Sequence, residues 1–366
     1  MSRKFNFNPG PALMPDVVLQ EAQAALWDLN GSGIGLLECS HRTPLFERVL
    51  FSARDRIKAA LGVGDDYDVL FLQGGARTQF FTVPMNLLRG GRATYLDTGV
   101  WAAGAIEEAR RFGTIDVPFS SKDHGYDRVP RQGEWGDLPE GTVYLHYTSN
   151  NTVAGTEYDY VPDPKGALLV CDMSSDFMSR PVDGNRFDLI YAGAQKNIGP
   201  SGVTVVVLRK SLFARCDPDI PQMCQYPLES KNDSMFNTPN TFGIFVVERM
   251  MAWIESQGGL VGIGRHNQEK AATLYDAIDR SALFRGKVEQ ASRSLMNVTF
   301  TTGDDALDLE FAKAADAAGL VGLKGHRIMG GLRASLYNAQ TDEAVAALVH
   351  FMNEFERRKA PHGGVP

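Results

Sequence analysis

Lys196 stands in the segment Ala192-Gly193-Ala194-Gln195-Lys196-Asn197-Ile198-Gly199-Pro200, a turn of small residues between two apolar runs. Small residues there let a ligand come close to the backbone. A lysine in such a place has two readings. It is a solvated turn residue, the commoner case for a lone loop lysine, or it is partly desolvated, gives up its proton more readily and attacks an aldehyde. Asp172 shifts the balance, because it closes the apolar run that begins at Ala167, one run before Lys196. If both runs are strands of one sheet, amine and carboxylate emerge at the same edge. A carboxylate beside a Schiff-base lysine is what pyridoxal phosphate requires, since it keeps the pyridine nitrogen protonated and the ring an electron sink. The plainer role for Asp172 is to cap the segment Met173-Ser174-Ser175.

Further polar groups fall at the ends of other β-rich runs. Gln73-Gly74-Gly75-Ala76-Arg77-Thr78 follows one run and opens a helical pattern. Free N–H groups and the helix dipole hold phosphate at such a place, although a merely tight turn has the same composition. Trp101 follows the next run, suited either to stack on an aromatic ring or to pack in the core. Ser149-Asn150-Asn151-Thr152 ends another, and the Thr152 hydroxyl serves a ring substituent or simple turn chemistry. Two cationic clusters remain: His41-Arg42, and His326-Arg327 followed by Arg333. Arginine forks match carboxylate and phosphate oxygens in pairs, so their convergence on one pocket would suit a phosphorylated amino acid, anionic at both ends. Taken singly, each is an ordinary surface charge.

Several functions are disfavoured. The charge sum, 37 minus 44, is -7, a field that repels a phosphate backbone, so no nucleic-acid partner is expected. The loop Asn30-Gly31-Ser32-Gly33-Ile34-Gly35 has no strand before it and Leu at position 36, which does not make a dinucleotide fingerprint. HExxH and GxSxG are absent from the sequence, and no metal site is expected. Cys39, Cys171, Cys216 and Cys224 follow no disulfide or metal spacing and read as free thiols of a reducing compartment. The opening residues lack the apolar core of an export signal, the window 203–208 is too short to span a bilayer, and 241–254 is broken by Glu248 and Arg249. No membrane partner and a cytoplasmic location are therefore expected.

The elements that must position these residues are legible in outline. The chain has 366 residues, 43% hydrophobic and 22% charged, enough for a sizeable core and about two domains. Residues 1–15 read as an extended arm, then helices are predicted over 17–29 and 44–61. From Tyr67 onward, short β-rich runs alternate with helical ones: strands at 67–72, 93–97, 114–118, 142–147, 167–172, 189–192 and 203–208, helices at 78–88 and 101–112. That pattern feeds a mostly parallel seven-stranded sheet of an α/β protein. A long helix to about residue 255 and a hinge at Gly258-Gly259 come next. Helices at 264–279, 309–318 and 342–358 with strands at 296–300 and 332–336 make a smaller α+β domain before a frayed tail at 361–366. The expected division is a large domain at 16–258 and a small one at 259–366 joined by the arm.

The whole pattern resembles the phosphoserine aminotransferases, class V members of the aspartate-aminotransferase-like fold. It does so from Phe5-Asn6-Phe7-Asn8-Pro9-Gly10-Pro11-Ala12 to Phe355-Glu356-Arg357-Arg358, and most specifically at Gly193-Ala194-Gln195-Lys196-Asn197-Ile198-Gly199-Pro200 and His326-Arg327-Ile328-Met329-Gly330-Gly331-Leu332-Arg333-Ala334-Ser335. Ala76 departs from the pattern, standing where many members have a third glycine. The resemblance implies pyridoxal 5'-phosphate bonded to Lys196, with Asp172 at the pyridine nitrogen, Trp101 on the ring and Thr152 at its hydroxyl side. It implies a phosphate cradle of Ala76, Arg77 and Gln195, completed by Asn237 and Thr238 from the neighbouring subunit of a homodimer. Arg333 resembles the α-carboxylate ligand, and His41, Arg42, His326 and Arg327 the receivers of the phosphate or distal carboxylate. The implied reaction moves the amino group of glutamate to 3-phosphohydroxypyruvate, giving O-phosphoserine and 2-oxoglutarate for serine biosynthesis. The same ends on 4-phosphohydroxythreonine would admit a vitamin B6 role. The alternatives are a serine or alanine to glyoxylate aminotransferase, or a silent binding protein of the same fold.

Overall fold

In Val203–Arg209, the run Val-Thr-Val-Val-Val-Leu is rich in β-branched residues, and all six are buried. Successive strand residues point to opposite faces. Val203, Val205 and Val207 accordingly join one hydrophobic cluster, whereas Val206 and Leu208 join another. Each fully buried side chain of this kind stabilises by about 1.5–3 kcal/mol. A strand apolar on both sides needs helices on both sides.

The computed structural model describes residues 3–359, so the tail at 361–366 lies outside the described residues. Its main sheet contains β1 (Tyr67–Gln73), β2 (Arg92–Asp97), β3 (Thr114–Ser120), β4 (Thr142–Thr148), β5 (Leu168–Asp172), β6 (Leu189–Gly193) and β7 (Val203–Arg209). Their spatial order is β1-β7-β6-β5-β4-β2-β3. β7 runs antiparallel to both neighbours, and the pairs from β6 across to β3 are parallel. The antiparallel strand has a local cause. Residues 194–202 contain no helix, and so short a link suits an antiparallel return, whereas parallel strands need a crossover of a dozen residues or more. Lys196 rides on that short link, one strand away from the end of β5.

One face of the sheet is covered by α1 (Asp16–Trp27), α2 (Pro44–Leu61) and α6 (Thr241–Ser256), the other by α3 (Gln79–Leu87) and α4 (Val100–Ala109); α5 (Tyr226–Lys231) is a short connector between the main sheet and α6. α2 has the predicted bounds. Pro44 opens it, where a missing N–H costs nothing, and Gly62 closes it at φ 65°. Its buried face is Phe46, Val49, Leu50, Ala53, Ile57 and Leu61, the three- and four-residue spacing of the sequence.

Several boundaries differ from the sequence reading, and three have a clear local cause. The expected helix at 78–88 opens as a separate 3-10 turn over Ala76–Thr78. α7 (Gly259–Arg280) begins five residues before the predicted position 264, because Gly258 at φ 86° takes a left-handed conformation that lets two helices abut. α8 (Asp305–Ala317) also begins earlier than expected, since the Asp304 carboxylate accepts the N–H groups of Ala306 and Leu307 and caps it. α7 crosses between cores: Leu260 and Ile263 pack in the large cluster, Ala271, Leu274 and Ile278 in a cluster formed by the C-terminal elements. α9 (Asp342–Lys359) and the strands Asn297–Thr301 and Leu332–Ser335 complete the latter. The arm joins it too, for Phe5–Asn6 pairs in parallel with Leu320–Val321 and Phe7 is buried there. No helix among the described residues is long and apolar enough to cross a membrane.

Candidate active site

The carboxyl ends of the parallel strands share one edge, where open α/β sheets bind ligands. Loops leaving that edge enclose a cavity of about 260 Å³. β5 delivers Asp172, the link after β6 delivers Gln195 and Lys196, the turn after β1 delivers Ala76 and Arg77, and α4 delivers Trp101; all six line the cavity. Ala76 lies in the 3-10 turn, a helical conformation that needs no glycine, while Gly74 before it takes φ +100°. The Gly-rich loop at 30–35 has a structural cause, since a Cβ on Gly35 would stand 2.4 Å from the Leu26 carbonyl oxygen.

Lys196 Nζ donates to Thr152 Oγ1 at 2.7 Å and to Ser175 Oγ at 2.9 Å, and those hydroxyls bond each other at 2.6 Å. Burial lowers the lysine pKa to about 8, against the opposing pull of Asp172 and Asp176. Its turn is pinned on both sides. The arm contributes Ala12 N–H to the Gln195 carbonyl at 2.9 Å, and Asn197 accepts the Asn338 N–H at 3.0 Å. Asp172 is buried, which raises its pKa above the usual carboxylate value, opposed by hydrogen bonds from Ser174 and by the Lys196 charge. Its Oδ1 accepts Ser174 N–H at 2.9 Å and Ser174 Oγ–H at 2.6 Å. Asp172 thus bonds the start of the following segment and also lines the cavity that holds Lys196.

Arg333, 5% exposed, belongs to the same constellation. Its Nη1 donates to the Thr152 carbonyl at 3.2 Å, so one threonine touches both the lysine amine and the arginine. The Arg77 guanidinium lies 5.4 Å over the Trp101 ring, within cation–π reach. His326 and Arg333 line a second, narrow cavity of about 10 Å³ with Tyr126 and Lys287. Burial and the neighbouring Arg333 and Arg327 lower the His326 pKa. Arg327 is exposed.

The remaining candidates do not reach the Lys196 cavity of their own chain. His41 is half-buried with Nε2 unpaired, its pKa lowered by burial and by exposed Arg42. Asn237 and Thr238 are exposed; Gln73 Nε2 donates to Asn237 Oδ1 at 3.3 Å and to the Thr238 carbonyl at 2.8 Å. Asn237 lines a separate cavity of about 190 Å³.

The sequence model of the family described as Aminotransferase class-V matches residues 4–348. The chain belongs to the class-V aminotransferases. A phosphoserine aminotransferase of Pseudomonas paraeruginosa is 46% identical over 98% of this chain and 99% of its own. Among solved structures, the phosphoserine aminotransferase of Bacillus circulans subsp. alkalophilus superposes with a TM-score of 0.95 at 47% identity, covering 97% of this chain and 99% of that one. The phosphoserine aminotransferase of Trichomonas vaginalis, solved with pyridoxal phosphate bound, gives 0.91 at 35% identity over 96% and 100%.

Sequence reasoning missed several members of this aminotransferase's site. Ser175 holds Lys196 and Ser174 holds Asp172, yet both were visible only as a segment to be capped. Hydroxyls two and three places after a strand-end aspartate are the signal that could have found them. Phe80 and Thr148 also line the cavity. Lys287, whose Nζ donates to the Met329 carbonyl at 2.5 Å, has no sequence neighbour that marks it.

Proposed function

We propose that the chain is a pyridoxal-phosphate-dependent phosphoserine aminotransferase, which passes the amino group of glutamate to 3-phosphohydroxypyruvate and releases O-phosphoserine and 2-oxoglutarate. The observation that carries this reading is that Lys196 and Asp172 line one cavity together with Trp101 and Arg77. The donor set suits the coenzyme: an amine partly neutral near pH 8, a carboxylate whose Oδ2 takes no bond from Ser174, an indole, and an arginine in a helical turn whose first N–H groups have no intrahelical acceptor. When bound, the coenzyme supplies an aldehyde carbon that takes up the amine and a ring that draws off the electron pair of substrate Cα.

The chain's own residues do the rest. Thr152 and Ser175 accept the Nζ protons of Lys196 and thereby aim it, so that with coenzyme and substrate bound its free amine would be placed to move a proton to and from Cα. Asp172 would hold the proton on the coenzyme's pyridine nitrogen. Arg333, steadied by the Thr152 carbonyl, binds the α-carboxylate. Ala76, Arg77 and Gln195 hold the coenzyme phosphate, and Asn237 and Thr238 complete that cradle from a second copy of the chain, forming a homodimer with shared sites. Their place outside their own Lys196 cavity supports this arrangement. His41, Arg42, His326 and Arg327 receive the substrate phosphate or the distal carboxylate, partly across that interface. Residues 16–258 form the large domain and 259–366 with the arm the small one, a division supported by the separate C-terminal cluster. Serine biosynthesis in the cytoplasm is the matching role.

The purified protein is expected to be yellow and to lose that colour with phosphoserine or glutamate but not with alanine. A response to alanine without one to phosphoserine would show that the arginine and histidine clusters do not receive a phosphate.

A further inference from the structure

Beneath Asp172 the sheet buries a second polar group that the reaction has not yet used. Asp172 on β5 lies directly across from Tyr191 on β6. Val170, two residues earlier and so on the same face, pairs with His146 of β4. His146 in turn pairs with Tyr95 of β2. Their side chains meet there: His146 Nε2 and Tyr191 Oη are 2.9 Å apart, and the Tyr95 ring stacks on the imidazole at 4.5 Å. Tyr95 spends its own hydroxyl on Tyr144 at 2.8 Å. His146 and Tyr191 are 2% and 1% exposed.

The direction of the hydrogen bonds follows from what each group can do. An ionised carboxylate only accepts. Tyr191, the neighbour of Asp172 across the two strands, favours the charged form of that carboxylate, and its one proton is therefore assigned to the Asp172 side. Its oxygen is left as an acceptor, and His146 Nε2 must be the donor. The other imidazole nitrogen, Nδ1, is buried with no partner. A bare lone pair there costs less than an orphaned N–H, which is rare in folded proteins. Burial lowers the His146 pKa to about 3, so the ring is neutral and carries one proton. Tautomer and bond direction thus agree.

We propose that His146 and Tyr191 are positioning residues that act through Asp172, a directed chain from His146 Nε2–H to the Tyr191 oxygen and from Tyr191 O–H to the carboxylate. This rests on the reading of Asp172 as the partner of the coenzyme's pyridine nitrogen. A proton shared between that nitrogen and a buried carboxylate moves to the carboxylate when the anion is poorly stabilised. Donors on the far side of Asp172 keep it the charged member, and the proton stays on the ring.

The test uses the holoprotein, wild type, Tyr191→Phe, His146→Leu and His146→Gln, with coenzyme labelled at the ring nitrogen for NMR at fixed pH. The wild type is expected to show a protonated ring nitrogen, and Tyr191→Phe a signal moved toward the neutral form with the amino-group half-reaction slowed about tenfold, the size of one hydrogen bond to a charged group. His146→Leu should shift the signal in the same direction by less, and His146→Gln, which restores an N–H donor, should recover it. Nitrogen NMR of the coenzyme-free protein should show the His146 proton on Nε2. A protonated wild type with unchanged signals in Tyr191→Phe and His146→Leu overturns the chain while leaving Asp172 in place. So does a proton on Nδ1. An unprotonated ring in the wild type overturns the role of Asp172 itself, and the chain with it.

Discussion

Two lysines of this aminotransferase, Lys196 half-buried and Lys270 wholly buried, are enclosed for different ends. Lys196 Nζ meets two hydroxyls at the wall of a cavity of about 260 Å³. Lys270, on α7 and 1% exposed, meets three carbonyls, those of Leu336, Tyr337 and Gln340, at 3.1, 2.9 and 3.1 Å. Burial lowers both pKa values, to about 8 for Lys196 and to about 7 for Lys270. A depressed lysine therefore does not by itself mark chemistry. What separates the two is the surroundings: hydroxyls that give and take protons beside open volume, against fixed carbonyls that use up the ammonium's donors in a packed cluster.

The comparison can be broken most forcefully at the lysines. Lys196→Ala should lower turnover of phosphoserine with 2-oxoglutarate by at least about a thousandfold, since acid–base and nucleophilic roles are lost together. Its melting temperature should stay near that of the wild type, because no buried donor or acceptor loses its only partner. Appreciable transamination by this variant would refute the assignment. Asp172→Asn should cost about a hundred- to a thousandfold in rate, the usual loss when a charge matched to the transition state is removed, measured with saturating coenzyme. Lys270→Ala should do the reverse of Lys196→Ala. It leaves carbonyls unpaired and opens a cavity, for a loss of about 2–5 kcal/mol in denaturant unfolding, while turnover per folded molecule changes little.

Smaller effects sharpen the picture. Arg327→Ala should raise KM for phosphoserine about tenfold with kcat nearly unchanged, as expected for an exposed charge that binds ground and transition states alike. The pH dependence follows from the sign of the shift. Because the Lys196 pKa is lowered, its reactive neutral form appears at lower pH than for a free lysine. The rate at which coenzyme-free protein takes up pyridoxal phosphate should rise with pH and level off above about 8. Continued rise toward the ordinary lysine value of 10.5 would mean that the amine is solvated.

Much of this was legible in the chain, for identifiable reasons. β6 and β7 declared themselves most clearly because both their faces are covered and their residues are nearly all buried and mostly apolar, whereas the edge strand β3 is largely half-buried or exposed and showed only its β-rich composition. α2 was readable to the residue from Pro44, Gly62 and the spacing between them. Lys196 and Asp172 could be singled out because each directly follows or ends such a run. The starts of α7 and α8 were not legible, since Gly258 and Asp304 look like loop residues until the backbone shows a left-handed turn and a cap. Contacts between distant segments were hidden altogether. His146 and Tyr191 are 45 residues apart, and Lys270 reaches carbonyls 66 to 70 residues away. Neither pair leaves a local pattern, because the sheet register and the crossing of α7 between clusters bring them together.

The most direct measurement is to reduce the holoprotein with borohydride, which fixes the coenzyme to whichever lysine holds it, and to map the labelled peptide. The label should fall on Lys196 alone. A label on Lys270 or another lysine, or none at all, would contradict the assignment of the cavity at the edge of the sheet as the place where the chemistry occurs.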